Sequence, residues 1–249
     1  MEPVPRRDTL ALIQSEVVVC VRCPRLVEYR ERVAREKRLA YRNCEYWGRP
    51  LPSFGDPNAR LLILGLAPAA HGGNRTGRMF TGDRSGDFLM RALYGTRFAS
   101  QPVSESRDDG LELIDAYISA AVRCAPPGNR PLPGEIRNCR EYLERELALL
   151  RNLQVVVALG RIAFDVYLSI LRDRGRIAAR SAFVFAHDAA HPGAGKPLLI
   201  SSYHPSQQNT STGKLTLEML QSVFRRARGR LEAAAPGKQI EKRTPVKRL

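Results

Sequence analysis

Between residues 65 and 83 the chain carries an imidazole, an amide, an aromatic ring and a carboxylate (His71, Asn74, Phe80 and Asp83) in a loop otherwise rich in glycine and small residues. An aromatic ring stacks on a flat heterocycle, amide and imidazole groups read its polar edge, and a carboxylate positions water or steadies a cation beside it. Gly65, Leu66, Ala67, Pro68, Ala69 and Gly72 would let the backbone approach such a ring closely. A second polar run, residues 201–216, holds His204, which can hydrogen-bond a developing anion. Beside it Ser206, Gln207, Asn209 and Thr210 suit phosphate oxygens. Each feature also has a purely structural reading. The glycines can serve turns of a surface loop, Asp83 can cap a helix starting near residue 85, and the second run can be a turn capping the last helix. His187 and His191 lack such surroundings and read as loop residues. No GxGxxG or GxxxxGK[ST] pattern stands at the turn, which argues against a dinucleotide or P-loop site.

A third group is made of sulfur. Cys20 and Cys23 have the two-residue spacing of metal ligands, and Cys124 and Cys139 bracket a ProProGlyAsnArgPro turn that can return one thiol towards the other. Four thiolates would suit either structural zinc or an iron–sulfur cluster, and the spacing alone leaves the two open. Reduced cysteines without metal are the plain alternative. Cys44 reads as a bystander in a loop.

These groups need a frame. Residues 60–66 read as a buried strand, with four consecutive aliphatics at 61–64. Further strands are expected at 117–122, 154–159 and 197–203, with a short one at 183–186. Helical patterns cover parts of 1–40, 85–94, 134–151, 163–171 and 216–231. Alternation of strands and helices predicts a parallel sheet covered on both faces. In such a sheet both polar runs follow strand ends at the same edge, where α/β folds place ligands.

The chain has 249 residues and a formal net charge of +15. Residues 225–249 carry nine Lys or Arg against two Glu and supply +7 of that excess. The remainder is still basic, which favours a polyanionic partner. The expected layout is a single domain over 1–232 followed by a disordered basic tail, 233–249. With no long apolar run and no leader-like N-terminus, a soluble, cytoplasmic, nucleoid-associated protein is expected, acting as a monomer without a membrane.

Three segments carry a resemblance: GlyLeuAlaProAlaAlaHisGly at 65–72, ArgThrGlyArgMetPheThrGlyAsp at 75–83 and TyrHisProSerGlnGlnAsnThr at 203–210. Together they resemble the motifs of the uracil-DNA glycosylase superfamily, and with the four cysteines they are most similar to its iron–sulfur family 5. The resemblance spans roughly residues 10–232. It implies a three-layer α/β/α sandwich around a central four-stranded parallel sheet. It also implies a structural [4Fe-4S] cluster on Cys20, Cys23, Cys124 and Cys139, and monofunctional hydrolysis of the bond between a deaminated base and its sugar in DNA, single- or double-stranded. Many relatives carry a polar or acidic side chain just after the first motif glycine, where Leu66 stands here. Relatives strict for uracil place an asparagine near the end of the second strand, where Ala120 stands. Both departures fit family 5 and imply a roomier pocket that also accepts hypoxanthine or other damaged bases.

On that reading the nucleotide is extruded from the stack and Phe80 stacks on it. Asp83 acts on water and the sugar cation, His204 bonds the leaving base, and His71 and Asn74 contact water or base. No lysine lies in either motif core, so no lyase step is expected. Two rivals are a non-catalytic nucleic-acid-binding module with a structural metal, and an α/β enzyme of small nucleotides.

Overall fold

A computed structural model describes residues 8–195 and 197–233. In chain order the elements are α1 (Leu10–Val18), α2 (Pro24–Glu36), β1 (Phe54–Gly55), β2 (Leu61–Gly65), α3 (Gly73–Thr76), α4 (Arg84–Gly95), β3 (Ala116–Ala120), α5 (Pro133–Leu149), β4 (Val155–Leu159), α6 (Arg161–Asp173), β5 (Ala189–His191), β6 (Leu198–Ser202), α7 (Gln207–Ser211) and α8 (Leu217–Ala233).

The sheet order is β1-β3-β2-β4-β6-β5. The four inner strands are parallel, as expected. The sheet nevertheless has six strands, because β1 and β5 add short antiparallel edges. Neither edge strand was legible: a two-residue strand has no periodicity to read. The strand expected at 183–186 is not one. Phe183 and Phe185 instead use their rings as wedges, Phe185 against Phe164 at 5.5 Å and Phe183 against His191 at 6.1 Å, and the pairing falls to 189–191.

Alternation along β2 explains the layers. Leu61 and Ile63 face a core shared with α4 and α8, while Leu62 and Leu64 face a second core shared with α5 and α6. Helix α1 lies outside α5, burying Ile13 and Val17 against Tyr142. The result is the expected α/β/α sandwich. The chain leaves β2 through α4 on one face to reach β3, whereas β4 leads through α6 on the other face to β6. This reversal opens a crevice at the carboxyl ends of β2 and β4, the usual ligand position in such sheets.

The first helical stretch splits at Cys20–Cys23 into α1 and α2. Helices α3 and α7 are single turns within the two polar runs. Ala233 closes α8, so the expected tail lies, from 234 onward, outside the described residues. No described helix is long and apolar enough to cross a membrane.

Candidate active site

The loops after β2 and β6 meet over a cavity of about 630 Å³ at the carboxyl edge of the sheet. Of the residues singled out in the sequence, Gly65, Leu66, Ala67, Pro68, Ala69, His71, Gly72, Phe80, Asp83, Ala120, His204, Ser206 and Gln207 all line it. The floor is set by parallel pairing, which puts Gly65 beside Ala120. Phe80 packs directly on Gly65: a Cβ there would stand 3.0 Å from two of its ring carbons. The Phe80 backbone has φ 51°, a left-handed conformation unusual for a side chain of that size and one that costs roughly 1–3 kcal/mol. The ring centroid of Phe80 lies 6.0 Å from that of His204, at 32° between planes. Segments more than a hundred positions apart thus converge on one space.

Asp83 serves two structures at once. Its Oδ1 accepts the Gly86 N–H at 2.9 Å and caps α4, the capping role foreseen from sequence. Its Oδ2 lies over Gly72, where a Cβ would stand 1.8 Å away, so no larger residue fits at 72. Burial raises the Asp83 carboxyl above the usual carboxylate range, partly opposed by the Gly86 and Ser85 amides. Burial also pushes the His204 imidazole down to about 4, so it is neutral near pH 7 and offers one N–H donor. Asn209 donates from Nδ2 to the His204 carbonyl at 2.8 Å and fixes the segment.

Three candidates do not reach the cavity. Asn74 is fully buried beneath it, donating from Nδ2 to the Arg30 carbonyl at 3.1 Å. Its expected contact with water or base is therefore replaced by a tie between α3 and α2. Asn209 is spent on His204, and the Thr210 hydroxyl bonds back to the Ser206 and Gln207 carbonyls at 3.2 Å. Ser206 caps α7 through Asn209 N–H while still lining the cavity. His187 stacks on Tyr203 at 5.1 Å, and His191 shares a hydrogen bond with the Ser201 hydroxyl at 3.0 Å.

Sequence reasoning missed the residues that stiffen the loop. Arg75 donates from Nε to the His71 carbonyl at 2.9 Å and from Nη2 to the Gly82 carbonyl at 2.8 Å, pinning both ends of the motif together. Its guanidinium lies 4.2 Å from the Tyr41 ring centroid. Tyr46 shares a hydrogen bond with His71 Nδ1 at 3.0 Å, and burial first, then Arg38 and Arg75, hold His71 below its ordinary pKa. Tyr29, Arg38 and Tyr41 also line the cavity. Only tertiary packing brings the 29–41 region here, so no local pattern announced it.

Cys20, Cys23, Cys124 and Cys139 line a separate small internal pocket, and Cys44 does not. They come from the α1–α2 corner, the end of β3 and the first half of α5. Two N–H donors, a guanidinium and a carboxamide, face the sulfurs: Arg30 Nη1 stands 3.1 Å from Cys124 Sγ, and Asn138 Nδ2 3.4 Å from Cys23 Sγ. Burial pushes the Cys124 thiol up to about 12 and that of Cys139 up to about 11. Among the described residues no three His, Cys, Asp or Glu side chains stand in the tight geometry of a single ion. A sulfur-only donor set with N–H donors turned to it has the chemistry that would hold an iron–sulfur cluster.

A crevice with a half-buried carboxylate, a stacking ring and a neutral imidazole can serve cleavage of a base from its sugar, and an α/β/α sandwich with this site defines a nucleic-acid glycosylase architecture. The model of the uracil DNA glycosylase superfamily matches residues 52–228, and this chain belongs to that superfamily. It is 49% identical over 221 residues to the type-5 uracil-DNA glycosylase of Thermus thermophilus, covering 89% of this chain and 97% of the relative. It is 48% identical over 213 residues to the type-5 enzyme of Pyrobaculum aerophilum (86% of this chain, 89% of the relative). The type-4 uracil-DNA glycosylase of Archaeoglobus fulgidus is 31% identical over 136 residues, covering 51% of this chain and 60% of the relative.

Proposed function

We propose that this chain removes uracil, and with it hypoxanthine or similar deaminated bases, from DNA by hydrolysing the base–sugar bond and leaving an abasic site. It is a glycosylase by family membership. The observation that carries the substrate reading is the meeting of Phe80, Asp83 and His204 in one cavity whose walls at Leu66 and Ala120 are apolar.

Extrusion of the nucleotide brings the base onto Phe80, with His204 at its edge. As the bond breaks, the electron pair stays with the base. The neutral His204 N–H meets the developing negative charge on a base oxygen. Asp83, oriented by its cap, holds a water through Oδ2, faces the cationic sugar and takes the water proton as oxygen bonds carbon. Apolar Leu66 and Ala120 impose no donor pattern on one pyrimidine edge, which supports the wider base range. No lysine lines the cavity among the described residues, and Lys214 places its ammonium 4.9 Å from the Tyr203 ring centroid. Amine attack on the sugar therefore has no residue there.

Cys20, Cys23, Cys124 and Cys139 hold a [4Fe-4S] cluster, which supplies a cross-link between the α1–α2 corner, β3 and α5. Supporting this are the shared pocket and the Arg30 and Asn138 donors. Anaerobically purified protein should be brown, with about four irons per chain; a colourless, zinc-loaded protein contradicts the assignment. For the reaction, oligonucleotides carrying uracil, hypoxanthine or xanthine, single- and double-stranded, should be scored for abasic sites. Uracil is expected to be released, and hypoxanthine as well. Binding without release of any base would leave only a nucleic-acid-binding module.

A further inference from the structure

Three guanidiniums line the cysteine pocket, those of Arg22, Arg30 and Arg123. Arg22 pairs with Glu141, and Arg123 with Glu146 at 2.6 Å. Arg30 differs. It is 3% exposed, yet its one carboxylate contact among the described residues is the half-exposed Glu31, at 3.8 Å. Its Nη1 instead donates to the Cys20 carbonyl at 3.2 Å and to Cys124 Sγ at 3.1 Å, and its buried Nε has no protein partner. A charge buried in this way is costly unless an opposite charge offsets it. No carboxylate lines the pocket among the described residues, so the sulfurs are the groups placed to supply that charge. Four thiolates outweigh the positive core of an iron–sulfur cluster, which makes the loaded cage a net anion.

The same residue also holds the catalytic loop. Its carbonyl accepts Asn74 Nδ2 at 3.1 Å, and Asn74 is fully buried. The Asn74 N–H donates to the Ala69 carbonyl at 3.0 Å, and the Asn74 carbonyl accepts the Gly48 N–H at 3.0 Å. Ala69 and Gly72 line the cavity, and Gly72 lies under Asp83 Oδ2. One continuous run of contacts therefore joins a cysteine sulfur to the catalytic carboxylate, through Arg30, Asn74 and the 69–72 backbone.

Resting on the cluster and glycosylase readings, we propose that Arg30 is a positioning residue joining the two sites: its guanidinium is the counter-charge of the cysteine cage, and its carbonyl fixes the catalytic loop through Asn74. Replacing the guanidinium by an apolar chain removes both a cation and an N–H donor from the sulfurs, which lowers the reduction potential of a cluster held there. It also loosens α2 at the residue that anchors Asn74, so uracil release falls with it. An Arg30 that served packing alone would change stability and leave the potential where it is.

The test compares anaerobically purified wild type, Arg30→Met, Arg30→Lys, Asn74→Ala and the Arg30→Met/Asn74→Ala double variant by iron content, protein-film voltammetry and single-turnover uracil release. Arg30→Met should show a lower potential and release slowed by about tenfold or more. Arg30→Lys keeps the charge and should recover most of the potential. Asn74→Ala should match the loss of release while its potential stays at the wild-type value. The double variant should be no slower than the slower single one, because both changes break one linkage. Loss of iron from Arg30→Met but not from Arg30→Lys also supports the counter-charge. An unmoved potential in iron-loaded Arg30→Met overturns the proposal, as do additive losses of release in the double variant. A colourless, zinc-loaded wild type sinks the cluster reading and the proposal with it, whereas iron-loaded wild type beside an unmoved Arg30→Met potential sinks the proposal alone.

Discussion

Asp83 shows how one side chain meets two demands. Its Oδ1 completes the first turn of α4, which orients the carboxylate, and its Oδ2 is left over Gly72 at the cavity. Gly72→Ala should therefore be severe: a methyl 1.8 Å from Oδ2 must displace the carboxylate, and uracil release should fall by about 10²-fold or more while the fold persists. Comparing release rates with thermal melts checks it. The acidic limb of the pH–rate profile should lie above the ordinary carboxylate range of about 4, because burial favours the neutral acid, and activity is lost as pH falls through it. His204 adds a stability effect of defined sign. The unfolded imidazole takes a proton near 6.5, whereas the folded one waits until about 4, so stability present above 6.5 is lost as pH falls through that window. Between pH 7 and 5 that loss is about 2 kcal/mol from His204, and a His204→Gln variant should shed that part of the slope in denaturant titrations.

At the scale of elements, β3 and α5 are joined by a buried ion pair rather than by apolar contact alone. Arg123 Nη2 and Glu146 Oε2 are 2.6 Å apart with both side chains 1% exposed, and the Ser119 hydroxyl donates to the same oxygen at 2.8 Å. The pair adjoins the cysteine pocket, which Arg123 also lines. Glu146→Gln leaves the guanidinium buried without its counter-charge and should cost about 3–5 kcal/mol in denaturant midpoints. Swapping both for apolar residues should cost less. None of this network was legible, since Arg123 and Glu146 look like ordinary charged residues until strand and helix pack. The four parallel strands and five long helices were legible because each repeats its apolar pattern several times. What went unread (β1, β5, α3 and α7) consists of elements of two to five residues, too short to show a period. The 183–186 run misled because two aromatics at alternate positions mimic a strand, while Phe185 packs on Phe164 of α6 and Phe183 on His191 of β5.

For the whole molecule, charge and topology act together. Excess cations draw the chain to a polyanion, and the reversal in strand order sets the crevice where the strand ends converge. That convergence was foreseeable from two polar runs each following an apolar strand, and it places Phe80 against His204. The contribution of residues 29–46 was not foreseeable, because their approach depends on how α2 folds back over the loop. Binding to uracil-containing DNA should weaken linearly in log–log salt titrations, with a slope of about −0.9 per phosphate contacted on duplex; a salt-independent affinity would point to a small nucleotide substrate instead. The most direct measurement compares Asp83→Asn with wild type in single-turnover release of free uracil, with DNA affinity and melting recorded in parallel. Asparagine still caps a helix, so melting and affinity should hold while release falls by about 10²–10⁴-fold. Near-normal release by Asp83→Asn would reduce Asp83 to a helix cap and contradict the account.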